Sequence, residues 1–164
     1  MALTGGHKIF LYGVCGICDE LLRIYKIRKA WCSMKISTRG RYALRVMIDL
    51  AEQGQEGFVP LKEMAARQKL SQKYMESIMT LLSKNNMVEA VHGKNGGYRL
   101  NRDPKDYTVG EILRITEGSM ALVACLECDS KPCDNASECR TLPMWNKLSE
   151  IINDYLDSVT VADL

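Results

Sequence analysis

The chain has 164 residues, 46% hydrophobic and 26% charged, with a formal net charge of +2. These values are normal for a soluble globular domain with an appendage, and they exclude a mainly disordered or membrane-embedded chain. Residues 34–102 hold twelve Lys and Arg against six Asp and Glu, whereas residues 103–164 hold five against twelve. A basic part followed by an acidic part suits a nucleic-acid-binding module joined to a sensing or pairing module.

Residues 1–33 do not fit the pattern of the rest of the chain. Their apolar run, residues 9–17, is far shorter than the roughly 18 residues that span a bilayer. Cys15 and Cys18 stand where a signal peptide would carry small residues. A single Cys-x-x-Cys pair binds a metal poorly, and no βαβ pattern surrounds it. We therefore expect an extension without a function of its own, upstream of a start at Met34.

The chain from Met34 begins with basic residues and continues as an amphipathic helix. Apolar residues recur at helical spacing to about Glu52, and Gly54 ends the helix. We expect the apolar face to cover the core beneath the next segment. Three basic residues at the start are placed to contact phosphates: Lys35, Arg39 and Arg41.

Residues 59–100 predict a helix, a tight turn, a second helix and a β-hairpin. Pro60 lies in the first turn of a short helix that ends near Gln68. Ser71 is a good N-cap for the second helix, which leaves its polar face outward. Two short strands around the glycines at 93, 96 and 97 complete the hairpin. Four apolar residues of the second helix point inward: Met75, Ile78, Met79 and Leu82.

This order of elements is that of a winged helix-turn-helix, whose second helix enters the major groove of DNA. The glycine-rich tip of the hairpin lets the backbone and Lys94 approach a phosphate or the minor groove. The same pattern also fits an αα-hairpin packed on a small sheet with a merely solvated polar face. Hydrophobic spacing alone does not distinguish the two interpretations.

Two further helices come after the hairpin. Thr108 caps a scaffold helix, with Glu111 at the capping-box position and Gly118 at the end. The last helix carries a wide apolar stripe that predicts packing against a second subunit or against its own domain. The stripe comprises Met144, Trp145, Leu148, Ile151, Ile152, Tyr155, Leu156 and Val159.

Seven cysteines occur in the chain, and four of them lie within fifteen residues of one polar loop: Cys125, Cys128, Cys133 and Cys139. An odd count, a helix-turn-helix and no convincing export signal predict a reducing, cytoplasmic environment. Thiolates suit an iron–sulfur cluster or, as the alternative, zinc. A redox disulfide switch, or surface thiols left after the loss of a site, remain open as interpretations.

Three segments together resemble the IscR/NsrR/CymR family of bacterial winged helix-turn-helix regulators. They are MKISTRGRYALRVMIDLA, the helix with SQKYMESIMTLL, and the wing VHGKNGGYRL. The resemblance covers Met34 to the C-terminus. It implies a mainly α fold with a small β-hairpin wing, and a cytoplasmic homodimer on a pseudo-palindromic operator of double-stranded DNA. The last helix would then pair antiparallel between subunits.

The resemblance also implies which residues contact DNA. Glu76 takes the place of a glutamate that helps to choose among DNA sites, since a carboxylate accepts from cytosine N4. The family usually has arginine before the first glycine of the wing, whereas this chain has His92, with Lys94 two residues on. Major-groove contacts would come from Ser71, Lys73, Tyr74 and Glu76.

For the cysteine loop, the family pattern has three cysteines, which Cys128, Cys133 and Cys139 match with a first spacing one residue short. The histidine that some members use as fourth ligand is replaced by Leu142, and the aspartate that others use is replaced by Arg41. We expect either Cys125 or the partner subunit to supply the missing ligand of a 2Fe–2S or 4Fe–4S cluster.

These inferences give a regulator that senses iron–sulfur, redox or nitric-oxide status. The alternative is a CymR-like repressor of sulfur metabolism without a cluster, controlled by a protein partner such as cysteine synthase. An enzyme is not expected, because the chain has only His7 and His92 and no catalytic constellation. We predict an extension (1–33), a DNA-binding domain (34–118), a sensor loop (119–141) and a dimerisation helix with its tail (142–164).

Overall fold

The computed structural model describes residues 36–53, 57–93, 96–127 and 133–164, all within one unit, Ile36–Leu164. The predicted extension therefore lies outside the described residues. So do three of the predicted site residues, Lys35, Lys94 and Cys128. Within the described part of the chain, no helix is both long and apolar enough to cross a membrane.

Helix α1 spans Thr38–Gln53 and buries one apolar face, including Val46, Met47 and Leu50. The start of α1 is held by a residue distant in sequence. The Ser37 hydroxyl donates to Glu117 at 2.7 Å and accepts from the backbone N–H of Gly40. A Cβ at Gly40 would collide with the Glu117 carboxylate. Glycine thus allows the close approach that orients the basic end of α1.

Helices α2 (Leu61–Gln68) and α3 (Gln72–Lys84) form the helix-turn-helix. Pro60 is the N-cap of α2 rather than part of its first turn, because its ψ of 139° is extended. Lys69 makes the turn with a positive φ of 55°. The predicted N-cap is confirmed, since Ser71 Oγ accepts from the Tyr74 N–H at 3.2 Å. The four inward residues of α3 are fully buried: Met75, Ile78, Met79 and Leu82.

The wing consists of β1 (Val88–Val91) and β2 (Gly97–Leu100), paired antiparallel with Val88 opposite Leu100. Val59, just before α2, adds a bridge to Tyr98 through two backbone hydrogen bonds of 2.9 Å. A Cβ at Gly97 would strike the Val59 backbone, so glycine is required for this third segment to pair. The wing is thereby connected to the segment that leads into the helix-turn-helix.

Helix α4 (Val109–Glu117) is capped as predicted, since the Thr108 hydroxyl accepts from the Glu111 N–H at 3.1 Å. The Glu111 carboxylate pairs with Arg102 at 2.9 Å, so it does not complete the expected capping box. A long-range guanidinium partner has displaced the local contact in this case. Gly118 ends the helix with a φ of 81°.

Helix α5 (Leu142–Ser158) has no buried residue of its own. The tail after it returns to the domain: Val161 is only 3% exposed, and its N–H donates to the Tyr107 carbonyl at 2.9 Å. Thr160 bridges Thr108 at the start of α4. The described residues thus form five α-helices and one two-stranded sheet, which confirms the predicted mainly α, winged helix-turn-helix fold.

One buried carboxylate joins α1 to α2. Asp49 is 6% exposed and accepts from Arg67 through both oxygens, at 2.8 and 2.7 Å. The Gln68 amide adds a third bond at 3.3 Å. The hydrogen bond to Asp49 raises the pKa of Arg67. Since charges are costly to bury unless they are paired, this contact fixes how α2 sits on α1.

We expect Asp49→Ala to lower the free energy of unfolding by about 2–4 kcal/mol, because Arg67 loses the carboxylate that it faces. The matched control is Glu89→Ala, which removes an ion pair to Arg99 whose two side chains are 45% and 46% exposed. That change should cost no more than about 1 kcal/mol. Urea unfolding of both variants measures the difference, and equal losses would contradict the role of Asp49.

Candidate nucleic-acid interface and cysteine cavity

The outer face of α3 carries the predicted major-groove contacts. Lys73 and Glu76 are exposed, and Ser71 caps the helix while its hydroxyl hydrogen stays available as a donor. Tyr74 is half-buried and packs edge-to-face on Tyr42 of α1, with ring centroids 6.1 Å apart. The structure therefore brings the four predicted residues together at the first two turns of α3.

Glu76 also lies close to the wing. Burial raises the pKa of the Tyr98 hydroxyl, and the Glu76 carboxylate raises it further. The neutral phenol is favoured beside a negative charge. Glu76 thus lies on the exposed face of α3 within electrostatic range of Tyr98 on strand β2, a position that its place in the sequence does not reveal.

Two of the predicted phosphate contacts lie at the start of α1. Arg39 and Arg41 are both exposed, and Arg41 donates to the Thr38 hydroxyl at 3.3 Å. At the wing tip, His92 is exposed and Gly93 has a φ of 122°. The described basic side chains of this set are all accessible to a polyanion, as a phosphate contact requires.

The cysteine loop forms a cavity of about 450 Å³ next to the start of α5. Two short 3₁₀ turns, Ala124–Leu126 and Ala136–Glu138, shape the loop on either side of its undescribed part. Three of the four predicted ligands line the cavity: Cys125, Cys133 and Cys139. The other lining residues are Leu126, Glu127, Ala136, Leu142 and Asn146.

Cys139 has the most distinctive environment of the three thiols. Its sulfur lies 3.4 Å from the Thr141 hydroxyl. The hydrogen bonds from the Thr141 side chain and backbone, and then from the Leu142 backbone, lower the pKa of the Cys139 thiol. The Thr141 hydroxyl and the N–H groups at the start of α5 therefore stabilise negative charge on this sulfur.

The donor set of the cavity fits a sulfur-ligated group. Within the described ranges, no three His, Cys, Asp or Glu side chains stand close enough to hold one metal ion. Three thiols nevertheless line the same cavity. Thiolates bind both iron–sulfur clusters and zinc, so the lining fits a cluster, with zinc as the alternative.

Sequence reasoning missed the residue that ties the wing to the core. Tyr107 is fully buried, and its hydroxyl accepts from the N–H groups of Asn101 and Arg102 at 3.0 and 2.9 Å. The same oxygen lies 2.9 Å from the Met87 carbonyl. The only local signal was an aromatic residue before the Thr108 cap. Glu127 and Asn146 were also missed as cavity residues, because only the fold brings them to the cysteines.

Helix α5 presents two different faces. Its inward face is half-buried and joins α4 through the ion pair of Arg114 with Asp157. The outward face keeps large apolar side chains in water, at spacings of four, three and four residues. These are Met144 (49% exposed), Leu148 (36%), Ile151 (53%) and Tyr155 (67%).

Comparison with known proteins identifies regulators of one kind. A model of the Rrf2 family, described as "Iron-dependent Transcriptional regulator", matches residues 36–164. The regulator IscR of Serratia proteamaculans is 35% identical over 131 residues, which are 80% of this chain and 79% of IscR. IscR of Yersinia pseudotuberculosis is 34% identical over the same shares of both chains.

Two solved structures have the same fold. CymR of B. subtilis, the global cysteine regulator of that organism, superposes with a TM-score of 0.64 at 34% identity, and the match covers 79% of this chain and 95% of CymR. IscR of T. potens gives a TM-score of 0.60 at 38% identity, covering 80% and 85%. These relatives are regulators rather than enzymes. The chain belongs to the Rrf2 family and is a DNA-binding transcriptional regulator of this family, as the resemblance of its motifs predicted.

Proposed function

We propose that this regulator binds its operator as a homodimer and that its cysteine loop holds an iron–sulfur cluster whose presence alters DNA binding. One observation carries the proposal: Cys125, Cys133 and Cys139 line one cavity at the start of α5. Cys128, in the undescribed part of the loop, is the remaining cysteine of the predicted ligand set. When bound, the cluster supplies a redox- and nitric-oxide-sensitive centre.

Leu142 lines the cavity at the position where some relatives are expected to have a histidine ligand. Its aliphatic side chain cannot coordinate iron, so the fourth ligand has to come from elsewhere. Cys125 is the candidate, because it lines the cavity and thiolate is the donor type that iron–sulfur clusters prefer. The iron and sulfide content of the purified protein distinguishes a 2Fe–2S cluster from a 4Fe–4S cluster.

The outward face of α5 supports the homodimer. Its exposed apolar residues recur with the spacing of an interhelical seam, and monomeric proteins rarely leave such a stripe in water. A second copy of α5 running antiparallel would cover the stripe symmetrically. The two α3 helices would then be held at a fixed spacing and contact successive major grooves.

A continuous path of contacts connects the cysteine cavity to α3. The cavity includes Leu142 and Asn146 in the first two turns of α5. At the other end of α5, Val161 enters the apolar core that also contains Met75 and Ile78 of α3. A change in the loop therefore acts on a rigid helix whose two ends touch the sensor and the DNA-reading domain.

On this proposal, Lys73 and Glu76 make contacts in the major groove, and Glu76 discriminates among base pairs, since a carboxylate repels phosphate while it accepts from cytosine. Ser71 and Tyr74 add contacts in the major groove. Arg39 and Arg41, with Lys35, bind the backbone, and His92 with Lys94 forms the wing contact.

Cys133→Ala should abolish the visible absorption of protein purified without oxygen, because the cluster loses a thiolate ligand. Iron and sulfide contents should fall together with the absorption. The control is Cys32→Ala, which removes a cysteine outside the loop and should leave the spectrum intact. Absorption that persists in Cys133→Ala, or a wild-type protein containing zinc without sulfide, would refute the cluster.

Ile151→Glu should weaken self-association by about two orders of magnitude, because a charge would be buried in the seam without a partner. Glu150→Ala, at the adjacent position in an exposed pair with Lys147, provides the control. Sedimentation equilibrium measures both variants. A dimer of unchanged strength in Ile151→Glu would exclude this face as the interface.

The second candidate is a CymR-like repressor that acts without a cluster. It is favoured by the similarity to CymR over 95% of that chain, together with Leu142 at the expected histidine position. The proposed partner is then cysteine synthase. Operator binding that responds to cysteine synthase, and that is indifferent to the Cys133→Ala change, would support this candidate over the first.

A further inference from the structure

Arg45 is one of four arginines in the described part of the chain that have no acidic partner. Four of the others are neutralised by carboxylates: Arg67 by Asp49, Arg99 by Glu89, Arg102 by Glu111 and Arg114 by Asp157. Arg45 is exposed on α1, one turn beyond the exposed Arg41. An unpaired positive charge remains available to an external anion.

Arg45 is held in place by an aromatic ring. Its guanidinium carbon lies 5.1 Å from the ring centroid of Tyr42, within the range of a cation–π contact. Tyr42 in turn packs edge-to-face on Tyr74, at an interplanar angle of 85°. Tyr74 belongs to the first turn of α3, so two aromatic rings connect Arg45 to the start of the helix that faces DNA.

This arrangement restricts the guanidinium and leaves its donors unused. A planar guanidinium stacked on a ring loses less freedom when it binds a phosphate than a free side chain would, and it presents paired N–H donors. The position next to the start of α3 is where the DNA backbone borders the major groove in helix-turn-helix complexes.

We propose that Arg45 contacts a DNA phosphate beside the major-groove site of α3, and that Tyr42 is the positioning residue for this contact. The inference rests on DNA binding through α3, as set out above. It adds a fixed backbone contact, which sets the register of α3 on the duplex without reading sequence.

The experiment measures binding by fluorescence anisotropy across a range of KCl concentrations. Its probe is a duplex that the wild-type protein enriches from a random-sequence pool. Arg45→Ala should weaken binding about tenfold at moderate salt. It should also reduce the slope of log K against log KCl by about 0.9 for each phosphate that is no longer neutralised. Arg45→Lys should restore most of the slope but only part of the affinity, because lysine does not stack or form the paired contact.

Arg102→Ala is the matched control, since Arg102 also stacks on a ring, 4.3 Å from the Tyr107 centroid, but its charge is paired with Glu111. Its salt slope should equal that of the wild type. An unchanged slope in Arg45→Ala would overturn the assignment of Arg45 alone. A wild-type protein that enriches no duplex would overturn the proposed mode of DNA binding as well.

The role of Tyr42 is tested by Tyr42→Phe and Tyr42→Leu. Phenylalanine keeps the ring and should keep the wild-type slope, whereas leucine should reduce affinity although every charge remains. Circular dichroism establishes that each variant is folded. Equal DNA binding by the folded leucine and phenylalanine variants would show that the ring does not position Arg45.

Discussion

Among the described residues, one apolar core holds helix α3 and the C-terminal tail in the same structure. Met47 of α1, Ile78 of α3 and Val161 of the tail all belong to it. Burial of such residues is the main favourable term in folding, and it is worth about 1.5–3 kcal/mol for each large side chain. Because the core is shared, the tail and the helix-turn-helix cannot move apart without exposing it. The orientation of α3 is therefore linked to the end of α5.

Polar contacts then fix the relative orientations of elements that apolar packing alone does not determine. The Asp49–Arg67 pair sets α2 against α1, and the Tyr107 hydroxyl collects two N–H groups where the wing rejoins the domain. Each contact is buried or partly buried, so removing a partner costs more than it would for an exposed hydrogen bond. Together with the bridge of Val59 to Tyr98, they hold the wing and α3 as one surface.

Local patterns in the sequence were sufficient to predict the helices and strands, but they were insufficient to predict the contacts between them. The buried face of α3 and the caps at Ser71 and Thr108 were predictable from periodicity and hydrogen-bonding chemistry. The capping box at Glu111 failed because Arg102, nine residues earlier, provides a charged partner that no local pattern encodes. The cysteines of the loop were evident from their spacing. Their common cavity with Asn146, and the lack of a carboxylate beside Arg45 among the described residues, depend on long-range packing and emerged only from the fold.

Helix α5 has 17 residues and therefore a length of roughly 25 Å. None of its residues is buried, and the first buried residue after it is Val161, which enters the core. Over this length, a rotation of about 5° about the Val161 end corresponds to a shift of about 2 Å at the Cys139 end. On the proposed function, a shift of ångströms at the thiols therefore reaches the core as a small rotation of the helix.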